Sequence, residues 1–325
     1  MALPTLSADQ IEDIYTTTFN QKLPEVIDGV YNSNPTLGIL NQQDRILLDG
    51  GRRIEQNMIF DKLTGGSYNR GDTFANVRKT TRTAFIIDWK LHRVELALDG
   101  LDELQNAGAM AAFDNADLKL QEMELTLKDN LGTELFGVGT DNQGAALNGF
   151  ADWIDDGTNI TTIGGVTRDT SAVGTAAKST YDAVGGSLTI PALQTDYGLV
   201  TIENEKPNLI VTTQTLWNAL FNRVQPQQRY PTGGGGIFDD LARIGFESLK
   251  FQRAAIIVDS HVQSGRFYML NTNFIKLIVH AARPGVLRGW MPTSNKDERV
   301  NQLFWAGNLI VGGPRFTAQG RGFTA

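Results

Sequence analysis

Arg52-Arg-Ile-Glu-Gln-Asn-Met-Ile-Phe60, the tip Thr64-Gly-Gly-Ser-Tyr-Asn-Arg-Gly71, and a strand-like run over residues 78–98 together decide the fold. Two long β-type arms flank a glycine-rich turn, and a helical pattern over residues 102–136 follows directly. A lone two-stranded ribbon is marginal in water, so a hairpin of this length needs a further surface to lie on. In a chain without catalytic motifs, that surface is expected to be a neighbouring subunit. The helical pattern carries Phe113, Ala116, Leu120, Met123, Leu127, Leu131 and Leu135 at steps of three and four, which is one apolar stripe. A helix of that extent would be roughly 50 Å long at 1.5 Å per residue.

Charge separates the same segments. Residues 52–93 hold nine Lys/Arg against four Asp/Glu, a balance of +5 in a chain of net charge −7. Residues 1–51 have a balance of −5 and residues 94–205 one of −15, whereas the rest of the chain is mildly basic. A basic ribbon between acidic segments is suited electrostatically to lie across an acidic face of another copy. Each exposed pair contributes only about 0–1 kcal/mol, so the asymmetry as a whole carries the reading.

The chain has 325 residues and no cysteine. Disulfides, thiolate nucleophiles and Cys-based metal sites are therefore excluded. No run approaches the roughly 18 apolar residues of a membrane span, and the N-terminus lacks the basic start and apolar core of a signal peptide. The sequence pI of about 5.1 argues against a dedicated nucleic-acid binder.

Along the chain, Ser7-Ala-Asp-Gln10 is a capping box that starts a helix ending before Pro24, and a short helix over 24–31 follows. Residues 137–190 are rich in Gly, Thr, Asp and Ala, with a loose small-residue stretch expected at 171–186. Helices are predicted over 191–205 and 214–224, and strands over 208–213, 254–259, 267–270, 274–280, 302–311 and 313–323. The four glycines 233–236 form a flexible loop.

Catalytic signatures are missing. His92, His261 and His280 do not share metal-ligand spacing and read as ordinary surface or strand histidines. There is no G-x-S-x-G elbow and no phosphate-binding P-loop. Gly137-Val-Gly139 ends a helix instead of opening one, so it is a helix stop. Asp152, Asp155 and Asp156 lack the alternation and closing Glu of a calcium loop and read as a solvated acidic turn. The chain is read as a non-enzyme with no cofactor.

The order of these parts resembles the major capsid protein of tailed bacteriophages, with its Hong Kong 97-type fold. Tyr31-Asn-Ser-Asn-Pro-Thr-Leu-Gly-Ile-Leu40 resembles that family's arm, and the hairpin its extended loop. Leu131-Gly-Thr-Glu-Leu-Phe-Gly-Val-Gly139 resembles the end of its spine helix. Leu147-Asn-Gly-Phe-Ala-Asp-Trp-Ile154 with Thr162-Ile-Gly-Gly-Val-Thr-Arg168 resembles its Gly-Gly-x-x-Arg stretch, and Phe267-Tyr-Met-Leu-Asn-Thr272 one of its later strands.

The resemblance implies an α+β chain with an N-terminal arm (1–50), an extended β-hairpin loop (51–98) and a peripheral domain with the spine helix (99–200). A mixed α/β axial domain (201–284) and strands returning to the peripheral domain (285–325) complete it. It implies pentamers and hexamers of an icosahedral virion shell, assembled in the host cytoplasm around double-stranded DNA held by weak, non-specific contact. Separate scaffolding and portal proteins, and decoration proteins, would be partners, and no membrane.

The residues expected to make intersubunit contacts through the loop are Arg52, Arg53, Lys62, Gly65, Gly66, Arg70, Gly71, Arg78, Lys79 and Arg82. Some relatives crosslink a loop lysine to a neighbour's asparagine. Lys62 is the one candidate here, and a solvated lysine is the stronger reading of it. An encapsulin-like nanocompartment shell is the alternative use of the same fold. A β-rich carbohydrate-active or hydrolytic enzyme is a third reading, which no carboxylate pair supports.

Overall fold

The structure, a computed structural model, describes residues 34–73, 78–101, 115–224, 249–294 and 296–325. The predicted helices at 7–31, the start of the long helix and the glycine loop 233–236 lie outside the described residues. Seventeen strands follow in chain order. They are β1 (Arg45–Leu48), β2 (Ile54–Ile59), β3 (Arg82–Ile87), β4 (Lys90–Asp99), β5 (Thr162–Ile163), β6 (Val166–Thr167), β7 (Thr180–Asp182), β8 (Gly186–Ser187) and β9 (Leu209–Thr212). After these come β10 (Leu249–Phe251), β11 (Ala254–Val258), β12 (Phe267–Leu270), β13 (Ile275–Leu287), β14 (Met291–Pro292), β15 (Glu298–Val311), β16 (Ala318–Gly320) and β17 (Phe323–Thr324). The helices used below are α1 (Pro35–Gln43), α2 (Asn115–Leu135), α3 (Phe150–Trp153), α4 (Ala172–Ala177), α5 (Ile190–Val200) and α6 (Gln214–Val224).

Helix α2 is the spine. Its described part has 21 residues, or roughly 31 Å at 1.5 Å per residue. Met123, Leu127, Leu131 and Leu135 are buried along it, as the stripe requires. The helix stops where Gly137 N–H turns back to Glu134 O at 3.0 Å. The stripe lies on a long five-stranded sheet of β1, β13, β15, β14 and β4, in which β1 runs parallel to β13 and the other pairs are antiparallel.

Strand β15 is central. It pairs with β13 on one side and with β4 over Glu298↔Asp99 to Gly307↔Lys90 on the other. Its burial alternates up to Phe304 and is then continuous from Trp305 to Val311, because only the later half is covered on both faces. Strand β13 bends at Pro284-Gly285, where the register shifts twice and Gly285 takes φ 118°. Proline cannot donate to the ladder, so a bulge is the accommodating geometry there. Residues 281–287, on both sides of the bend, are exposed.

A six-stranded sheet, in the order β10-β11-β9-β12-β16-β7, forms the middle of the molecule. All four residues of β9 are buried, as are all four of β12. Successive side chains of a strand face opposite ways, and two cores result. Leu209, Val211, Ala255, Ile257, Tyr268 and Leu270 join the spine core, together with Phe136, Phe150 and Trp153. Ile210, Ile256, Phe267 and Met269 meet Leu193 and Tyr197 of α5 and Leu216, Trp217 and Leu220 of α6 in the second core. The predicted strand 313–323 is instead broken into a 3₁₀ turn at Pro314–Phe316, strand β16 and strand β17. The stretch 171–186, expected to be loose, holds α4, with Gly174, Ala176 and Ala177 buried, and then β7 of the six-stranded sheet. Small residues there permit close approach to neighbours: a Cβ on Gly174 would overlap Asp169. Among the described residues, no helix is long and apolar enough to cross a membrane.

Candidate assembly interface

The predicted hairpin exists, but its second arm is two strands and not one. β3 pairs with β2 from Ile54↔Ile87 to Ile59↔Arg82, and β4 leaves the ribbon to join β15. The break falls at Asp88-Trp89 and is held from three sides. Arg53 Nε sits 2.9 Å from Asp88 Oδ1. Trp89 Nε1 donates to Gly51 O at 2.9 Å. Asn308 Nδ2 donates to Asp88 O at 2.9 Å from the centre of the long sheet.

The ribbon's base rests on its own subunit, which corrects the expectation that only a neighbour could support it. Ile54, Met58, Phe85 and Ile87 are buried in the spine core. Phe85 meets Trp153 edge to face with ring centres 5.3 Å apart, and Trp153 Nε1 donates to Leu309 O at 3.1 Å. The β5–β6 hairpin completes the seat. Gly164 O accepts from Ile86 N–H at 2.9 Å. Gly164 has φ 55°, and a Cβ there would come within 3.0 Å of Phe85 Cβ. The first glycine of the Gly-Gly-x-x-Arg stretch is thus fixed by both conformation and space.

Arg168 closes that motif from inside. It is 5% exposed. Its guanidinium donates to Ala177 O (3.1 Å), Ile160 O (2.9 Å), Asp152 O (2.8 Å) and Trp153 O (2.6 Å). Burial pulls its pKa down to about 10, against the opposing pull of Asp155, Asp152 and Asp156. The acidic turn is therefore not solvated at Asp152 and Asp155, which are both buried. Asp155 accepts from Gly157 N, Asn159 N, Asn159 Nδ2 and Ile160 N. Asp152 accepts from Gly139 N and Asn148 Nδ2, and burial raises its pKa.

Beyond Ile59 the ribbon projects. At its throat, Phe60 N–H donates to Thr81 O at 3.1 Å, and Lys79 Nζ reaches both Asp61 Oδ2 (2.7 Å) and Lys62 O (2.9 Å). The Lys79 hydrogen bond holds the Asp61 carboxyl below its ordinary range. At the tip, Asn69 N donates to Asp72 Oδ2 at 2.6 Å and Asp72 N to Asn69 O at 3.1 Å. Gly71 takes φ 96°, which favours glycine, whereas a Cβ on Gly65 or Gly66 would meet nothing within 4 Å.

All ten expected contact residues are exposed. Arg53 is at the base, Lys62, Lys79 and Arg82 are at the throat, and Gly65, Gly66, Arg70 and Gly71 are in the tip. Arg52 precedes β2, and Arg78 borders the segment 74–77, which lies outside the described residues. Among the described residues, Arg52, Arg70, Arg78 and Arg82 form no ion pair. Ile59 (69%), Leu63 (75%) and Tyr68 (70%) add exposed apolar surface to this cationic projection. Two clefts flank it. One, about 360 Å³, is lined by Met58, Ile59, Phe274 and Phe316; the other, about 420 Å³, by Phe60, Lys178 and Leu199. Arg315 stands on both.

The sequence reading missed the residues that seat the ribbon, namely Phe85, Asn308, Trp153 and Gly164. Only the paired glycines gave a local signal.

No known sequence family matches the chain, and neither does any curated protein. Solved structures do match. The capsid of cyanophage A-1(L) is 14% identical at a TM-score of 0.72, covering 95% of this chain and 98% of that one. The capsid of a native GTA particle is 13% identical at 0.65, covering 99% and 100%. The holo-SrpI encapsulin of Synechococcus elongatus PCC 7942 is 9% identical at 0.63, covering 100% and 97%. With spine helix, long sheet, six-stranded sheet and projecting ribbon in one order across the whole length, this chain has the Hong Kong 97-type fold of phage capsid shells.

Proposed function

We propose that the chain is a shell subunit that forms pentamers and hexamers and closes them into an icosahedral head around double-stranded DNA. The observation that carries this reading is the ribbon: its base is built into the core, while farther out Arg70, Arg78 and Arg82 form no ion pair among the described residues and Leu63 is exposed. The whole-length likeness to two phage-type capsids supports the same reading.

In this assignment residues 51–98 are the extended loop, and Arg52, Arg53, Lys62, Gly65, Gly66, Arg70, Gly71, Arg78, Lys79 and Arg82 contact a neighbouring copy. Residues 1–50 are the arm, 99–200 and 285–325 build the peripheral domain, and 201–284 the axial domain. The acidic segment around the spine faces DNA that is held weakly. Scaffolding, portal and decoration proteins are separate chains, assembly takes place in the host cytoplasm, and the subunit performs no catalysis.

The test is to express the chain alone, with and without residues 64–71, and to follow particle formation by light scattering and negative-stain microscopy. Closed shells from the intact chain and capsomers or monomers from the deletion are expected. Unchanged shells from the deletion would refute the loop's role, and a stable monomer from the intact chain would refute the shell itself. The whole-length likeness to an encapsulin favours a second reading, a nanocompartment. Particles purified with a protein cargo and without phage DNA would decide for it.

A further inference from the structure

The turn after β11 places one histidine between two carboxylates. Asp259 follows β11 directly, and its side chain is fully buried; the side chain of His261, two residues on, is 8% exposed. His261 Nδ1 lies 3.0 Å from Asp259 Oδ1, and Nε2 lies 2.9 Å from Asp129 Oδ1 on the spine helix. Asp259 also accepts from His261 N at 3.0 Å and, through Oδ2, from Thr36 N at 3.3 Å. Thr36 stands in the first turn of α1, whose cap Asn34 accepts from Leu37 N at 2.9 Å. Gly132 of the spine packs so closely on Asn34 and His261 that a Cβ has no room there. Arm helix, spine helix and the six-stranded sheet therefore converge on one imidazole.

A neutral imidazole donates from one ring nitrogen and accepts at the other, whereas a carboxylate only accepts. With a carboxylate oxygen within hydrogen-bond distance of both nitrogens, either neutral tautomer would set a nitrogen lone pair against an oxygen lone pair. Only the imidazolium satisfies both contacts. We propose that His261 is a proton-operated brace: charged, it ties the spine helix to the six-stranded sheet and, through Asp259, to the start of α1; deprotonated, it lets go of Asp129.

The electrostatics agree. Burial of the ring opposes its charge, but the hydrogen bonds and charges of Asp129 and Asp259 outweigh burial and hold its pKa above the ordinary histidine value. Asp129 is the charged group facing it from the spine and Asp259 the one from its own turn, while α1 presents only the Asn34 amide and the Thr36 N–H. Because the folded value is the raised one, the stabilisation is complete below the ordinary histidine pKa and is lost as pH rises through the folded value. The brace does not depend on the shell reading, since it is a property of the single subunit.

Nitrogen-15 NMR of the histidine-labelled full chain tests it, because only three histidines contribute. His261→Gln assigns the resonance; if that variant does not fold, His92→Asn and His280→Asn assign it by elimination. At pH 7.5 both ring nitrogens of His261 are expected to be protonated. Asp129→Asn, at a half-exposed position, is expected to lower the ratio of imidazolium to imidazole severalfold, because it removes the carboxylate that meets Nε2. A neutral tautomer in the wild-type chain at pH 7.5, or a ratio unchanged by Asp129→Asn, would overturn the proposal.

Discussion

Replacing Arg168 by methionine removes the clamp behind the ribbon's seat while nearly conserving volume and apolar stem. Four carbonyls lose a donor: Ala177 O at the end of α4, Asp152 O and Trp153 O at the end of α3, and the part-buried Ile160 O, while Trp153 O keeps Ser179 Oγ at 3.4 Å. An acceptor left unpaired on burial costs about 1–3 kcal/mol, so the three without another donor cost about 3–9 kcal/mol. The substitution also relieves the burial of a cation. A pKa pulled down to about 10 corresponds to a relief on the order of 3 kcal/mol, at about 1.4 kcal/mol per tenfold change. The hydrogen bonds win, and a net loss of about 3 kcal/mol is expected. At about 2 °C per kcal/mol for a large domain, the melting temperature should fall by roughly 6 °C. Arg168→Lys should lose most of the same stability, because one ammonium cannot reach four carbonyls in a planar fork. Differential scanning calorimetry of the purified chain supplies the number. Melting within about 2 °C of wild type in Arg168→Met would mean that the clamp contributes nothing and that the reasoning is wrong.

Two further expectations follow from the same geometry. Gly164→Val forces a left-handed backbone and a clash with Phe85, a strain of about 1–3 kcal/mol; hydrogen exchange should quicken at the Ile86 amide, and unchanged protection there would refute the seat. Asp196, buried on α5, has its pKa raised to about 7 by burial and then by the neighbouring Asp182 carboxyl. Its folded value is the raised one, so stability falls as pH climbs from the ordinary carboxyl range to about 7 and is flat above. Asp196→Asn should therefore raise the melting temperature at pH 8 and leave it unchanged at pH 4. An equal effect at both would count against a protonated buried acid.

The hairpin and spine were legible because each carries its own local period. Met123, Leu127, Leu131 and Leu135 announce a helix, and Leu193, Tyr197 and Val200 another, without reference to any partner. The split at Asp88-Trp89 was illegible for the opposite reason: no glycine or proline interrupts residues 78–98, and one of the groups that holds the break is Asn308, more than 200 residues away in sequence. The small-residue stretch at 171–186 was misjudged because burial there comes from close backbone approach, which leaves no apolar periodicity. Asp155 was read as part of a solvated turn and His261 as an ordinary surface or strand histidine, because the groups that meet them arrive from elsewhere in sequence: Arg168 in one case, the spine in the other. The residues proposed to contact a neighbour were read from charge and from the glycine-rich tip, and their exposure is what the fold adds.

The ribbon's two halves differ energetically, and this difference says where the proposed assembly would act. Four fully buried apolar side chains at the base contribute about 1.5–3 kcal/mol each, enough to make the base part of the folded body. Among the contacts of residues 61–73 are those of Lys79 at the throat and the Asn69–Asp72 turn at the tip, and Leu63 is exposed between them. Fixing that many residues costs about 1–2 kcal/mol apiece, more than a few exposed hydrogen bonds return at about 1 kcal/mol each. In the proposed shell the deficit would be removed if Leu63 became buried and Arg70, Arg78 and Arg82 found carboxylates on another copy. Ordering of the tip and association of subunits would then be one event.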